Sequence, residues 1–168
     1  MLIDDCRHEG GVSALGSVWR AVSDRVMGGI SQPALSPQHV AGKRCLRLSG
    51  AVQLENNGGF IQMALDLDPA GAAIDVSEFA GVRLLVLGND EQYSVHLRTA
   101  DNQRPWQSYR AHFKPSPQWR EIKLPFTQFT PHRLDTPLDL SCMRRIGVVA
   151  IGRAFFANLC VAEIAFYR

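Results

Sequence analysis

Gln92-Tyr93-Ser94-Val95-His96-Leu97-Arg98 and, after a turn, Trp106-Gln107-Ser108-Tyr109-Arg110-Ala111-His112-Phe113 are the segments on which the fold reading turns. In the first, Tyr93, Val95 and Leu97 alternate with Ser94, His96 and Arg98. In the second, Gln107, Tyr109, Ala111 and Phe113 alternate with Trp106, Ser108, Arg110 and His112. Successive side chains of a strand leave on opposite faces, so a period of two describes strands with one apolar and one polar side. If the two strands pair, one face carries His96, Arg98, Ser108, Arg110 and His112 together.

The same period recurs outward in both directions. It predicts strands over 44–54, 60–67, 82–87, 92–98, 106–113, 119–124, 146–151 and 158–167. Turn residues separate them: Asn56-Asn57-Gly58-Gly59, Gly88-Asn89-Asp90, Asp101-Asn102, Pro115-Ser116-Pro117, and the stretch 130–138 with its two prolines. Helical periodicity is weak, with room for one short turn around 76–79 and another around 138–143. Short strands with little helix predict an all-β antiparallel sandwich of jelly-roll type rather than an α/β fold. No internal repeat points to a propeller or solenoid.

Composition agrees with one domain spanning 1–168. Apolar residues make up 46% and charged residues 20%, the balance of a globular chain. A formal net charge of +2 is too small to steer polyanions, so bulk charge gives no reason to expect nucleic acid. Cys6, Cys45, Cys142 and Cys160 form no CxxC pair, which argues for reduced thiols rather than a zinc site. The first residues carry both charge signs and lack the pattern of a secretory or transit segment, and no run is long enough for a membrane-spanning helix, so a cytoplasmic location is expected.

Two glycine-rich motifs stand out. Trp19 is followed by Asp24-Arg25-Val26-Met27-Gly28-Gly29-Ile30-Ser31, and Glu55-Asn56-Asn57-Gly58-Gly59-Phe60 precedes a predicted strand. Glycine pairs permit positive φ, and Asp24 can accept from nearby backbone N–H groups. Each motif reads either as a structural turn or as a loop that presents backbone donors to a ligand. At least two of the four glycines are expected at positive φ. A P-loop is not supported, since its Lys-Ser/Thr ending is missing.

With Tyr93, Leu97-Arg98-Thr99, Tyr109 through Phe113, and Trp119 followed by Leu124-Pro125-Phe126 and Phe129, these motifs resemble the complex I intermediate-associated protein 30 family across nearly the whole chain. The resemblance implies a galactose-binding-like jelly roll. The family includes mitochondrial assembly factors for respiratory complex I as well as bacterial members, and this chain looks like a bare bacterial-type version. Two departures stand out: Ala64 occupies a position where the family often has arginine, and Arg153-Ala154-Phe155-Phe156-Ala157-Asn158 replaces a Gly-x-Phe element.

No nucleophile elbow, dinucleotide fingerprint or zincin motif is present, and no cofactor is implied. Asp4, Asp5 and Glu163 could supply some of the oxygen ligands of a structural calcium, and no metal site is assigned from them. The expectation is a non-catalytic binding module that holds a protein partner, such as a complex I subunit or intermediate. The alternative is a carbohydrate or small-ligand module using the same face. The expected contact residues are Asp24, Arg25, Met27, Gly28, Gly29, Ser31, Asn57, His96, Arg98, Trp106, Arg110 and His112. A sugar site should be a groove with an exposed aromatic such as Trp106, whereas a protein site should have an apolar centre and a polar rim.

Overall fold

Alternation along the chain produces twelve strands in two antiparallel sheets. The computed structural model describes the backbone of residues 1–168 and all side chains except those of Met27 and Asn57, so the expected contacts of these two residues lie outside the described side chains. The strands are β1 (Leu2–Asp4), β2 (Arg20–Ser23), β3 (Ala34–Val40), β4 (Lys43–Val52), β5 (Phe60–Asp66), β6 (Gly81–Leu87), β7 (Tyr93–Thr99), β8 (Ser108–Phe113), β9 (Arg120–Pro125), β10 (Thr130–His132), β11 (Met143–Ile151) and β12 (Phe155–Tyr167).

One sheet has the order β3-β4-β12-β6-β9, with β1 also pairing β12; the other has the order β10-β8-β7-β11-β5-β2. Their inner faces supply the core. Leu48, Val82, Leu84 and Leu159 from the first sheet meet Ile61, Met63, Val95, Leu97 and Val148 from the second, all fully or almost fully buried. Tyr93 and Tyr109 are buried too, and each places its hydroxyl on a partner: Tyr93 donates to Asn89 Oδ1 at 2.8 Å and accepts from the Asn158 N–H, and Tyr109 donates to the Thr136 carbonyl at 2.7 Å. A buried phenol kept hydrogen-bonded costs the core nothing in unmet polarity. The fold is thus a jelly-roll β-sandwich, as the period of two predicts.

All eight predicted strands are present, with ends shifted by a few residues. Trp106 precedes β8 instead of opening it, because the Arg104 carbonyl accepts from the Gln107 N–H and closes a turn there. Four further strands, β1, β2, β3 and β10, were not expected. They are short or lie at sheet edges, and β3 contains Pro37 and is largely exposed, so its sequence carries no apolar alternation. The region 138–143 forms only a 3-10 turn, Leu140–Cys142, and 76–79 closes through a single Phe79 N–H to Val76 carbonyl bond. All four cysteines are free, and Cys45 and Cys160 are buried. No helix is long and apolar enough to cross a membrane.

Candidate functional site

The outer face of the sheet β10-β8-β7-β11-β5-β2 is concave, and its cross-strand register can be read in rows. Across the middle, Arg20, Ala64, Gly147, His96, Arg110 and Thr130 stand side by side. One row toward the β7–β8 loop come Asp66, Arg145 and Arg98, with Ser108 and His132 beyond them. In the opposite direction lie Val22, Gln62, Val149, Ser94 and His112, and then Phe60 and Ile151. Ala64 and Gly147 have little or no side chain, so the face sinks along the middle row. The result is a trough of about 470 Å³ with Trp106 at one end and Val26, Gly58, Gly59 and Gly152 at the other.

The pairing of β7 with β8 places Arg110 opposite His96, and Arg98 lies two residues along on the same side, so both arginines line the trough as alternation predicts. Trp106 also lines it and is 48% exposed. His112 shares the face but projects to solvent outside the trough. Arg98 donates to the Pro105 carbonyl at 2.8 Å and the Arg104 carbonyl at 3.2 Å, fixing the loop that carries Trp106. Nε of Arg110 donates to Ser108 Oγ at 2.9 Å.

The trough is cationic at the Trp106 end. Arg20 and Arg145 share Asp66, Arg145 at 2.8 Å and Arg20 at 3.5 Å. Among the described residues, neither Arg98 nor Arg110 has a carboxylate partner. Burial lowers both guanidinium pKa values, with Arg145 adding to the effect on Arg98 and Arg133 to that on Arg110; from so high a starting value both stay charged. Burial, reinforced by Arg110, pushes the His96 imidazole well below its ordinary value, and its Nε2 lies 2.8 Å from Ser94 Oγ. His132 is lowered by burial and then by Arg110 and Arg133. At neutral pH the arginines therefore carry the charge, and the two histidines serve as neutral donors or acceptors.

The two glycine-rich loops are built differently from expectation. Asp24 and Ser31, expected to meet a partner, are fully buried and hold the loops together. The Asp24 carboxylate accepts from Ser31 N–H at 3.0 Å, Ser31 Oγ at 2.5 Å, Gly59 N–H at 2.5 Å and Phe60 N–H at 3.2 Å. Burial alone would raise its pKa, but the bonds from Ser31, Gly59 and Phe60 outweigh it and hold the carboxyl below the usual aspartate value. Gly29 is buried against this group: an added Cβ would stand 2.4 Å from the Asp24 carboxyl carbon. Gly28 ends the 3-10 turn Asp24–Met27 at φ +88° and Gly59 lies at φ +129°, so two of the four glycines are at positive φ. Arg25 is exposed and donates from Nε to the Ser31 carbonyl at 3.2 Å. Neither Arg25 nor Gly28 reaches the trough. The loops contribute its far wall through Val26, Gly58, Gly59 and Phe60 instead.

Arg20, Gln62, His132, Arg145, Gly147, Val149 and Ile151 line the site without having been expected there. The period of two in 143–151 would have given the side of Arg145, Gly147, Val149 and Ile151, but only the sheet order shows that this side faces the trough. Ala64, the departure from the family pattern, lies in the trough floor, and its cross-strand partner Arg20 brings a guanidinium to the same row.

The three acids that suggested calcium each engage another partner. Asp4 accepts from Trp19 Nε1 at 2.7 Å and from the Cys6 N–H, Asp5 pairs with Arg7, and Glu163 pairs with Arg83. Asp101, Asp139 and Cys142 bring potential ligand atoms within 4.8 Å of one another at the surface, where Asp139 already caps Ser141 through its N–H and Oγ.

Two packed antiparallel sheets, one with a trough on its outer face, define a jelly-roll β-sandwich. The structure resembles the family 11 carbohydrate-binding module from Clostridium thermocellum in complex with a β-1,3-1,4-mixed-linked tetrasaccharide, at 15% identity and a TM-score of 0.72 over 99% of this chain and 94% of that one. It also resembles the family 11 module of the cellulosomal cellulase Lic26A-Cel5E of Clostridium thermocellum (15% identity, TM-score 0.74, 99% and 93% coverage). A third likeness is to the family 30 module of cellulosomal cellulase Cel9D-Cel44B of that organism (14%, 0.60, 89% and 92%). At these identities the likeness shows the fold. Residues 11–158 match the Complex I intermediate-associated protein 30 (CIA30) family, and the chain belongs to it. No protein of curated function matches the chain.

Proposed function

We propose that this protein is a non-catalytic module that holds a protein partner in the trough, in the manner of an assembly factor, the partner being a subunit or intermediate of respiratory complex I. One observation carries this reading: the trough joins an apolar end, lined by Phe60, Ile151 and the exposed Val26, to a cationic end with Arg20, Arg98, Arg110 and Arg145. Such an arrangement suits a protein surface, where the apolar end excludes water and the charged end sets orientation. Family membership supports it.

A second reading, a carbohydrate-binding module, is favoured by Trp106, whose exposed indole offers a stacking plane at the trough, and by the fold shared with modules that bind saccharides. A photo-crosslinking residue at Gln62, in the trough, separates the two. Its control is the same residue at Lys123, on the opposite sheet. A discrete protein adduct from cells with the Gln62 probe, missing with the Lys123 probe, is the expected result. Absence of an adduct, together with binding of a mixed-linkage tetrasaccharide in titration, would replace the partner reading by the carbohydrate one.

A further inference from the structure

The trough is polarised along its strands. On β11 alone, the residues facing it run Arg145, Gly147, Val149, Ile151, from cation through a bare floor to branched apolar side chains. On β5 the sequence from the same end is Asp66, Ala64, Gln62, Phe60. Four rows at two residues each, about 6.8 Å apart, span about 20 Å.

At the cationic end the charges do not balance. Asp66 is the one carboxylate that the register places there among the described residues, and Arg145 and Arg20 both use it. Arg98 spends its terminal nitrogens on the Pro105 and Arg104 carbonyls, which makes it a positioning residue for Trp106. Arg110 is left over. It is half-buried, its Nε is fixed by Ser108, and its two terminal nitrogens have no partner among the described residues. A cation partly withdrawn from water and oriented, yet without a counter-ion, is what a site for a planar, two-oxygen anion requires.

We infer that the occupant is an extended peptide segment of the partner with carboxylates at one end and apolar side chains toward the other, the carboxylates meeting Arg110 in the half of the trough that Trp106 closes and the apolar residues covering Ile151, Phe60 and Val26. This rests on the protein-partner reading above. A neutral oligosaccharide leaves Arg110 without its counter-ion and the apolar rows without a match. A uniform polyanion satisfies the first end and is repelled by the desolvation of the second. An acidic-to-apolar segment answers both, and an extended chain of six to eight residues has the length, at about 3.3 Å per residue.

The test uses the full chain and a synthetic N-acetylated octapeptide with two glutamates at one end and valine, leucine and phenylalanine at the other, titrated by calorimetry. Saturable one-to-one binding is expected. Binding should weaken at least about tenfold when the glutamates become glutamines, a change that leaves the protein untouched, and by a similar factor in Arg110→Gln. Arg120→Gln, on the other sheet, should bind as the unaltered protein does. Equal affinity for the glutamine peptide, no effect of Arg110→Gln in a folded variant, or no saturable binding overturns the inference. If the octapeptide fails while the Gln62 probe still captures a protein, the acidic-to-apolar chemistry is wrong and the partner reading stands. If both fail and the mixed-linkage tetrasaccharide binds, both are wrong.

Discussion

Asp24 shows how a polar residue can matter to a site without touching what binds there. Its carboxylate joins the loop ending at Ser31 to the start of β5, so the far wall of the trough depends on it. Asp24→Asn places a carboxamide nitrogen among N–H donors and should cost about 2–3 kcal/mol in urea unfolding. Because the folded-state pKa lies below the unfolded value near 3.8, the stabilisation is complete above that value and is lost as the pH falls below it through the lower folded value. The acid side of a Tm-versus-pH curve should accordingly be flatter in Asp24→Asn. The adjacent glycines should behave differently from each other. Gly28→Ala meets nothing within 4 Å and pays only for φ +88°, about 1 kcal/mol, whereas Gly29→Ala drives a Cβ into the Asp24 carboxyl and should destabilise by more. The sequence marked this motif as a loop with Asp24 as an acceptor. It placed the donors on nearby backbone and could not say that two of them, the Gly59 and Phe60 N–H groups, arrive from a separate stretch of chain.

Among the elements, β7 and β8 were the most legible, since strict alternation fixed the side of His96, Arg98 and Arg110, and pairing then brought them together. The edge strands β2, β3 and β10 were not, because these three bury too little to write a period into their sequence, whereas the edge strand β9 still sets Ile122 and Leu124 inward and was expected. Half of the trough was hidden for a related reason: β11 is buried on its inner side and nearly apolar on its outer side, so Val149 and Ile151 read as core until β5 and β7 are placed beside them. The floor can be tested at Gly147. An added Cβ there stands 2.4 Å from the end of the Gln62 side chain and 3.7 Å from the Met63 carbonyl, so Gly147→Ala needs only Gln62 to shift and should fold with a Tm close to that of the unaltered protein while raising the trough floor and weakening octapeptide binding in calorimetry. His96, within the same row, should remain neutral below pH 6.5 in an NMR titration. Its lowered value means that the unfolded chain takes up the proton first, so His96 subtracts stability as the pH falls below 6.5.

For the whole molecule, period predicted a jelly-roll sandwich, and the two sheets with their shared core match it. What no local pattern showed is sheet order, which joins segments far apart in the chain. A small second cluster, Cys45 and Cys160 packed with Leu85, Leu87 and Trp119, lies apart from the shared core; burial pushes the Cys6 and Cys45 thiols up to about 12 and raises Cys160 as well, which leaves little thiolate. Ellman's reagent should label Cys45 and Cys160 only at the rate of unfolding, and at once in guanidinium. Strand order also bears on how the chain is made. β12 lies between β4 and β6 and pairs β1 as well, so three strands of its sheet have no neighbour on that side until Phe155–Tyr167 exists. On the ribosome, the earlier strands of that sheet must wait with open edges while the rest is translated. Closure comes in one late step when Phe155–Tyr167 clears the exit tunnel, and in the interval the open edges are free to pair with neighbouring chains.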